Sequence, residues 1–269
     1  MSRVEMIGGI AVRDRGGDAP PVLCLHGIGS SGAGFDALGR LLAGRLRVIA
    51  WDAPGYAASA DPRTAPGMDG YADAVADVMD GLGIRRASVL GTSWGGVIAT
   101  RFALRHPGRL DALVLADSTR GSGTTPEKAA AMRARAAELA ERGAAGFARA
   151  RAPRLLSPGA PPADVTRVAE AMAAAIRLPG YGHAAESMAA TDHGDAFAAV
   201  TAPTLVLVGE HDAVCPPAES RLIAGAVPGA RYAEIPGAGH LAHQERPEAF
   251  AAAVRDFLVP RSEPEENPS

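Results

Sequence analysis

The sequence has little cysteine: only Cys24 and Cys215, far apart and in no metal-ligand spacing. That excludes a disulfide framework or a spaced-cysteine metal site as the basis of the fold. Cys24 lies inside an apolar run and reads as a buried small hydrophobe. A large charge of one sign is also lacking. The net charge of −3 gives no electrostatic reason to expect nucleic acid or an anionic membrane as partner. No apolar run approaches the roughly 20 residues of a bilayer span. The apolar stretch within Met1 to Val12 is interrupted by Glu5 and ended by Arg13-Asp14-Arg15, with no cleavage-like site. A cytoplasmic globular protein is therefore expected. At 269 residues the chain can bury about three quarters of its unfolded surface, enough to fold without disulfide or metal.

What is present is an alternation of strand-like and helix-like segments. Val4 to Ile7 and Ile10 to Arg13, separated by Gly8-Gly9, read as a hairpin. The short apolar runs Pro21 to Leu25, Arg47 to Trp51, Ala87 to Leu90, Leu110 to Ala116 and Pro203 to Gly209 read as strands covered on both faces. Arg231 to Ile235 reads as a further strand. Helical patterns lie between them: Phe35 to Ala43, a segment capped by Asp69 and running through Leu82, Val97 to His106, Ala218 to Ala226 and Pro247 to Leu258. Such alternation predicts an α/β fold with a mostly parallel sheet and right-handed crossovers.

From Pro126 to about Ala190 the chain is rich in Ala and Arg and shows no strand. Pro126 to Arg142 and Asp164 to Leu178 read as helices, punctuated by Pro153, Ser157-Pro158-Gly159, Pro161-Pro162 and Pro179-Gly180. The expected division is an α/β core at 1–119 and 196–260, a helical lid at 120–195 and a disordered, proline-rich acidic tail at 261–269. Met132, Leu139, Phe147, Met172, Ile176 and Met188 could roof a site or pack the core.

Gly91-Thr92-Ser93-Trp94-Gly95-Gly96 stands at a strand-to-helix junction and has the form of a nucleophile elbow. In a chain with 32 glycines the pentapeptide alone is a weak signal, so its surroundings carry the argument. The loops at His26, Ser93, Asp212 and His240 all fall at carboxyl ends of predicted strands, where open α/β sheets place their sites. A serine hydroxyl needs a base to attack at neutral pH, and His240 is the candidate base. Asp212 would hold its tautomer. The chain order Ser, Asp, His is that of α/β hydrolases. The backbone amides of Trp94 and Ile28 are the expected oxyanion donors, with Gly27 as a substitute for the second. His26, Gly27, Gly29, Tyr181, Val214 and Leu241 are expected to face substrate. His243 and Asp117 are the rival base and acid. His106 reads as a structural residue at a helix C-terminus and Asp52 as a turn-stabilising carboxylate. His211 neighbours the acid and points elsewhere, while His183 and His193 lie in or near the lid, within reach of a substrate.

Taken together, these motifs resemble the α/β-hydrolase superfamily from about Val4 to Leu258. The matching stretches are Leu25-His26-Gly27-Ile28-Gly29, Asp52 to Ser59, Gly91 to Gly96, Ala202 to Leu205, Gly209-Glu210-His211-Asp212, and Gly239-His240 followed by Glu245-Arg246-Pro247. The resemblance implies a mostly parallel central sheet flanked by helices, with a helical lid inserted after the sixth strand. Ser93 departs from epoxide hydrolases and haloalkane dehalogenases, which attack with a carboxylate. Gly180-Tyr181-Gly182-His183 through Asp192 and the Gly-Gly of the elbow look like 3-oxoadipate enol-lactonases, with departures at Ala57, usually glycine there, and at Trp94, more often methionine. Trp94 is also similar to proline iminopeptidases. Meta-cleavage-product hydrolases usually carry Trp after the catalytic His, where this chain has Leu241.

The function implied is a serine hydrolase cleaving a carboxylic ester or enol-lactone with a small to medium acyl group, with no metal and no organic cofactor. Its expected partner is a small-molecule ester or lactone; neither nucleic acid nor membrane is implied. The alternatives are a carbon–carbon bond hydrolase using the same triad, and a ligand receptor that keeps the fold without turnover.

Overall fold

The computed structural model describes residues 3–259. Eight strands form one sheet: β1 (Arg3–Ile7), β2 (Ile10–Asp14), β3 (Pro21–Leu25), β4 (Arg47–Trp51), β5 (Ala87–Thr92), β6 (Leu110–Ala116), β7 (Thr204–Gly209) and β8 (Arg231–Ile235). Their order is β1-β2-β4-β3-β5-β6-β7-β8. β1 and β2 form the antiparallel hairpin at one edge and β2 pairs antiparallel with β4. Every pairing from β4 through β3 to β8 is parallel. The sequence predicted this mostly parallel α/β sheet. Its basis is visible in β7, where all six residues are buried because both faces are covered.

The period-two alternation of a strand splits the core into two layers. Leu23 and Leu25 pack on one face with Val75, Val97 and Phe102. Val22 and Cys24 pack on the other with Phe35, Leu38, Phe250 and Val254. Each fully buried side chain of this size contributes about 1.5–3 kcal/mol. The first face is covered by α2 (Gly67–Gly81), α3 (Trp94–Arg105) and α7 (Pro217–Ala226); the second by α1 (Asp36–Leu41) and α9 (Pro247–Leu258). A short α8 (Ala242–Glu245) precedes α9.

Between β6 and β7 lies a helical insertion of α4 (Pro126–Arg151), α5 (Pro162–Ala175) and α6 (Gly180–Ala189). The helix expected to stop at Arg142 does break there: Gly143 adopts φ 64, ψ 165, after which helical geometry resumes to Arg151. α5 ends three residues before the expected Leu178, because Ile176 is extended. α6 was not expected at all. Its Tyr181, Ala184, Ala185 and Met188 are buried at helical spacing, a stripe masked in the sequence by the flanking glycines.

Two smaller expectations also differ. Asp69 does not cap α2, which begins at Gly67; its carboxylate instead pairs with Arg101 and Arg105 of α3. The Phe35 to Ala43 helix is a 3-10 turn over Gly32–Phe35 followed by the short α1. The expected tail at 261–269, and Pro260, lie outside the described residues.

Candidate active site

Ser93 sits between β5 and α3 with φ 52 and ψ −118, a left-handed conformation that is strained for a side chain-bearing residue. The strain persists because the flanking glycines let three backbones close up around it. A Cβ on Gly91 would strike the Gly95 carbonyl, one on Gly95 the Leu25 carbonyl, and one on Gly96 the Ser118 hydroxyl. That is why positions 91, 95 and 96, to either side of Thr92-Ser93-Trp94, are glycines, and the hydroxyl is lifted to the carboxyl edge of the sheet as a result.

Two further loops converge on it. His240 follows β8, and its Nε2 is 3.0 Å from Ser93 Oγ. Its Nδ1 is 2.8 Å from Asp212 Oδ2, in the loop after β7. Asp212 in turn accepts from the amides of Val214 and Cys215 through Oδ1, at 2.8 and 2.9 Å. With Nδ1–H given to the carboxylate, Nε2 is free to accept the serine proton. Burial by itself would lower the His240 pKa, but the hydrogen bond and charge of Asp212 outweigh it and raise the ring's proton affinity. Glu245 steadies the histidine loop by accepting from Gly239 N at 2.6 Å and from Ser157 N, in the insertion, at 2.8 Å.

The loop after β3 passes directly against the serine: a Cβ on Gly27 would lie 3.2 Å from Ser93 Cβ. Among the described residues no other group takes the amide hydrogens of Ile28 and Trp94, so both are available to an oxyanion. A cavity of about 210 Å³ opens over Ser93 and His240, walled by Gly27, Ile28, Gly29, Val214 and Leu241 below and by Tyr181, Val168 and Met172 of the insertion above. That is smaller than the ~300–1,000 Å³ of drug-sized pockets, so the site suits a small molecule.

One expected substrate contact is corrected. His26 does not line the cavity. Its Nε2 accepts from Ala53 N at 2.9 Å and its Nδ1–H donates to the Gly27 carbonyl at 2.8 Å, so both nitrogens are consumed in shaping the loop. Of the six apolar residues considered for a roof, Met172 alone lines the cavity; Met132, Leu139, Phe147, Ile176 and Met188 pack in the core. The Trp94 side chain is buried away from the cavity, edge-on to Tyr71 at 4.8 Å between ring centroids.

The rival residues separate cleanly. His243 lines the cavity but is stacked on Phe35, and burial drives its pKa down to about 3, leaving too weak a base. Asp117, in a left-handed conformation at the end of β6, accepts from Gly209 N at 2.8 Å. Burial pushes its pKa up to about 8, and the His240 Nδ1 that a carboxylate partner would hold is bonded to Asp212 instead. His106 bonds Asp73 at 2.8 Å, as a structural residue should. Asp52 accepts from Ala58 N within its turn and from Gly32 N of the segment after β3. His193 is buried against the Val97 carbonyl, His211 is exposed, and neither they nor His183 line the cavity.

The charged or amide-bearing cavity residues that the sequence did not single out are Arg135, Arg151, Arg154 and Arg167 of the insertion, with Gln244. In an Ala/Arg-rich helical segment nothing local marks which arginines turn inward. Asp212, Cys215 and His240 present donor atoms within 4.8 Å of one another, a potential metal set. Two are bonded to each other, however, and burial raises the Cys215 thiol pKa well above normal, which opposes the thiolate a metal requires. No described helix is long and apolar enough to cross a membrane.

A family model described as alpha/beta hydrolase fold matches residues 20–247. The chain belongs to the α/β-hydrolase family. This α/β hydrolase is 30% identical over 272 residues to the poly(3-hydroxyalkanoate) depolymerase of Ectopseudomonas oleovorans, covering 92% of this chain and 87% of the depolymerase. It is 32% identical to a 2-hydroxy-6-oxononadienedioate/2-hydroxy-6-oxononatrienedioate hydrolase of Cupriavidus pinatubonensis, covering 93% and 90% of the two chains. It also matches polyketide synthase ThaQ of Burkholderia thailandensis at 34% identity over 91% of this chain, but spans only 12% of ThaQ. Among solved structures, the enol-lactonase from Burkholderia xenovorans LB400 superposes with a TM-score of 0.84 at 26% identity, covering 96% of this chain and 100% of that one.

Proposed function

We propose that this hydrolase cleaves a small carboxylic ester or enol-lactone through an acyl-enzyme on Ser93. The observation that carries the reading is the unbroken hydrogen-bond path from Ser93 Oγ to His240 Nε2, at 3.0 Å, and from His240 Nδ1 to Asp212, at 2.8 Å. His240 takes the serine proton as Oγ attacks the carbonyl carbon. The oxyanion is received by the amides of Ile28 and Trp94. Collapse breaks the acyl–oxygen bond, and His240 returns the proton to the leaving oxygen. Water then gives a proton to His240 as its oxygen attacks the acyl carbon; the acyl–Oγ bond breaks, the acid leaves, and His240 returns that proton to Ser93 Oγ. Asp212 holds the ring and stabilises the imidazolium throughout. Segment 120–195 acts as a lid that excludes bulk water, a role supported by the cavity-facing Val168, Met172 and Tyr181.

The test is a p-nitrophenyl acetate burst together with covalent labelling by a fluorophosphonate. Both are expected to vanish in Ser93→Ala, and retained activity would sink the mechanism. A second reading, carbon–carbon bond hydrolysis of a vinylogous diketone by the same three residues, is favoured by the 32% identity to the Cupriavidus hydrolase. Relative turnover of dienoic diketones and aryl esters separates the two.

A further inference from the structure

The link between α4 and α5, 152–161, supplies Arg154 and Leu155 to the wall of the cavity. Immediately beyond them the buried Leu156 and Ser157 lie against the histidine loop. A Cβ on Gly239 would sit 2.5 Å from both the Leu156 carbonyl carbon and the Ser157 amide nitrogen. The residue before His240 is therefore glycine because the backbone of the insertion is laid directly on it. One carboxylate closes this contact. Glu245 Oε1 accepts from Ser157 N at 2.8 Å, and Oε2 accepts from Gly239 N at 2.6 Å. Glu245 is itself mounted on the turn after His240, its amide donating to the Leu241 carbonyl at 2.9 Å.

This end of the insertion has few other ties. Among the described residues, hydrogen bonds from 144–172 to the core reach only Glu245 and its neighbour Gln244, the latter from Arg167 at 3.5 Å. The far end is held independently. The Ala175 carbonyl accepts from Ala57 N at 2.8 Å, and Arg177 donates to the Ala57 carbonyl at 2.9 Å. The break in α4 at Gly143 separates the near end from the first half of that helix. A carboxylate bonded to amides is about twice as strong an acceptor as a neutral group. Lifting the near end takes one amide from Glu245 and uncovers Gly239, so the backbone that carries His240 loses two supports at once.

We infer that Glu245 is a positioning residue, which aligns His240 for catalysis only while the insertion is seated over the cavity. This rests on the proposed roles of Ser93, His240 and the insertion, and adds a condition to them. Closure does more than exclude water: it completes the support of the base. With the site open, the serine has a base that is out of line, so attack on the carbonyl is confined to the covered state.

Glu245→Gln tests this, because it keeps the length of the side chain but offers one acceptor for two amides. The p-nitrophenyl acetate burst reports the effect per active site, since its amplitude counts only folded, competent enzyme. The burst rate constant and kcat should fall together by about tenfold or more, with KM changed by less than about twofold. Glu245→Asp keeps the charge but is too short to span both amides, and its rates should fall likewise. Hydrogen exchange in Glu245→Gln should quicken at 154–160 and at 237–241 together. Wild-type rates in either variant would overturn the inference, as would a loss confined to KM. A fall in kcat with exchange at 154–160 unchanged would also overturn it, since the base would then be steadied without the insertion. Failure of the Ser93 chemistry is distinguishable, because hydrolysis would then survive Ser93→Ala whatever the Glu245 variants do.

Discussion

The indole Nε1 of Trp94 donates to the hydroxyl of Ser187 at 3.2 Å, joining the residue after Ser93 to helix α6 of the insertion. Ser187 passes its own proton to the Ala184 carbonyl at 2.8 Å. The insertion is thus hydrogen-bonded to the elbow itself. In Ser187→Ala the buried indole N–H loses its acceptor, and the expected loss of stability is about 1–3 kcal/mol. Denaturant unfolding measures the loss. Hydrogen exchange should show faster opening concentrated in Gly180–Ala189; uniform protection across that helix would contradict the coupling.

The rate should fall on the acid side. His240 must be neutral to accept the serine proton, and Asp212 raises its pKa above the 6.5 of an ordinary histidine. kcat/KM therefore declines as pH drops through that raised value. The Arg135 charge opposes protonation of His240, so Arg135→Gln should move this acid limb to higher pH. Asp212→Asn should lower kcat by about 10³–10⁴, because the amide no longer fixes the reactive tautomer. Stopped-flow pH profiles check both.

Ala57 occupies a left-handed conformation, φ 40, with its amide bonded to the Ala175 carbonyl at 2.8 Å and its carbonyl accepting from Arg177 at 2.9 Å. These contacts to the insertion hold it where a Cβ is unfavourable by about 1–2 kcal/mol. Ala57→Gly relieves that strain but frees the unfolded chain, so a net gain of about 0.5–1 kcal/mol is expected. Thermal unfolding would show a small rise in Tm.

Acid should destabilise the fold through its buried histidines. Burial, with the Arg101 charge adding, lowers the His193 pKa to about 4, against 6.5 when free. The unfolded chain therefore binds this proton first. The stability is complete above pH 6.5 and is lost as pH falls toward about 4, reaching about 2 kcal/mol by pH 5. His193→Gln keeps a donor for the Val97 carbonyl, now 3.1 Å from Nε2, but cannot charge. Its Tm should vary less between pH 7 and 5 than that of the wild type.

The strands were legible because burial on both faces writes them as short apolar runs, as in Thr204–Gly209. Ser93, Asp212 and His240 were legible because each loop follows such a run, and the structure brings the three within hydrogen-bond distance. What sequence could not carry depends on distant partners. His26 looked like a substrate ligand until its acceptor nitrogen met Ala53, 27 residues away. Helix α6 owes its form to buried Tyr181 and Met188 and not to the propensity of its two glycines. Arg135 differs from its paired neighbour Arg133 only in which side of α4 it occupies, since Arg133 meets Glu186 at 2.8 Å.

β8, whose end presents His240, is the outermost strand of the sheet and, among the described residues, pairs only with β7. Ser93, by contrast, springs from β5 in the middle. The proposed base is therefore anchored to the part of the sheet with the fewest partners, and the proposed nucleophile to a part with neighbours on both sides. Local fraying is cheapest at such a margin. Mild denaturant should detach base from nucleophile while most of the sheet persists, and catalysis should fail before the far-ultraviolet signal does.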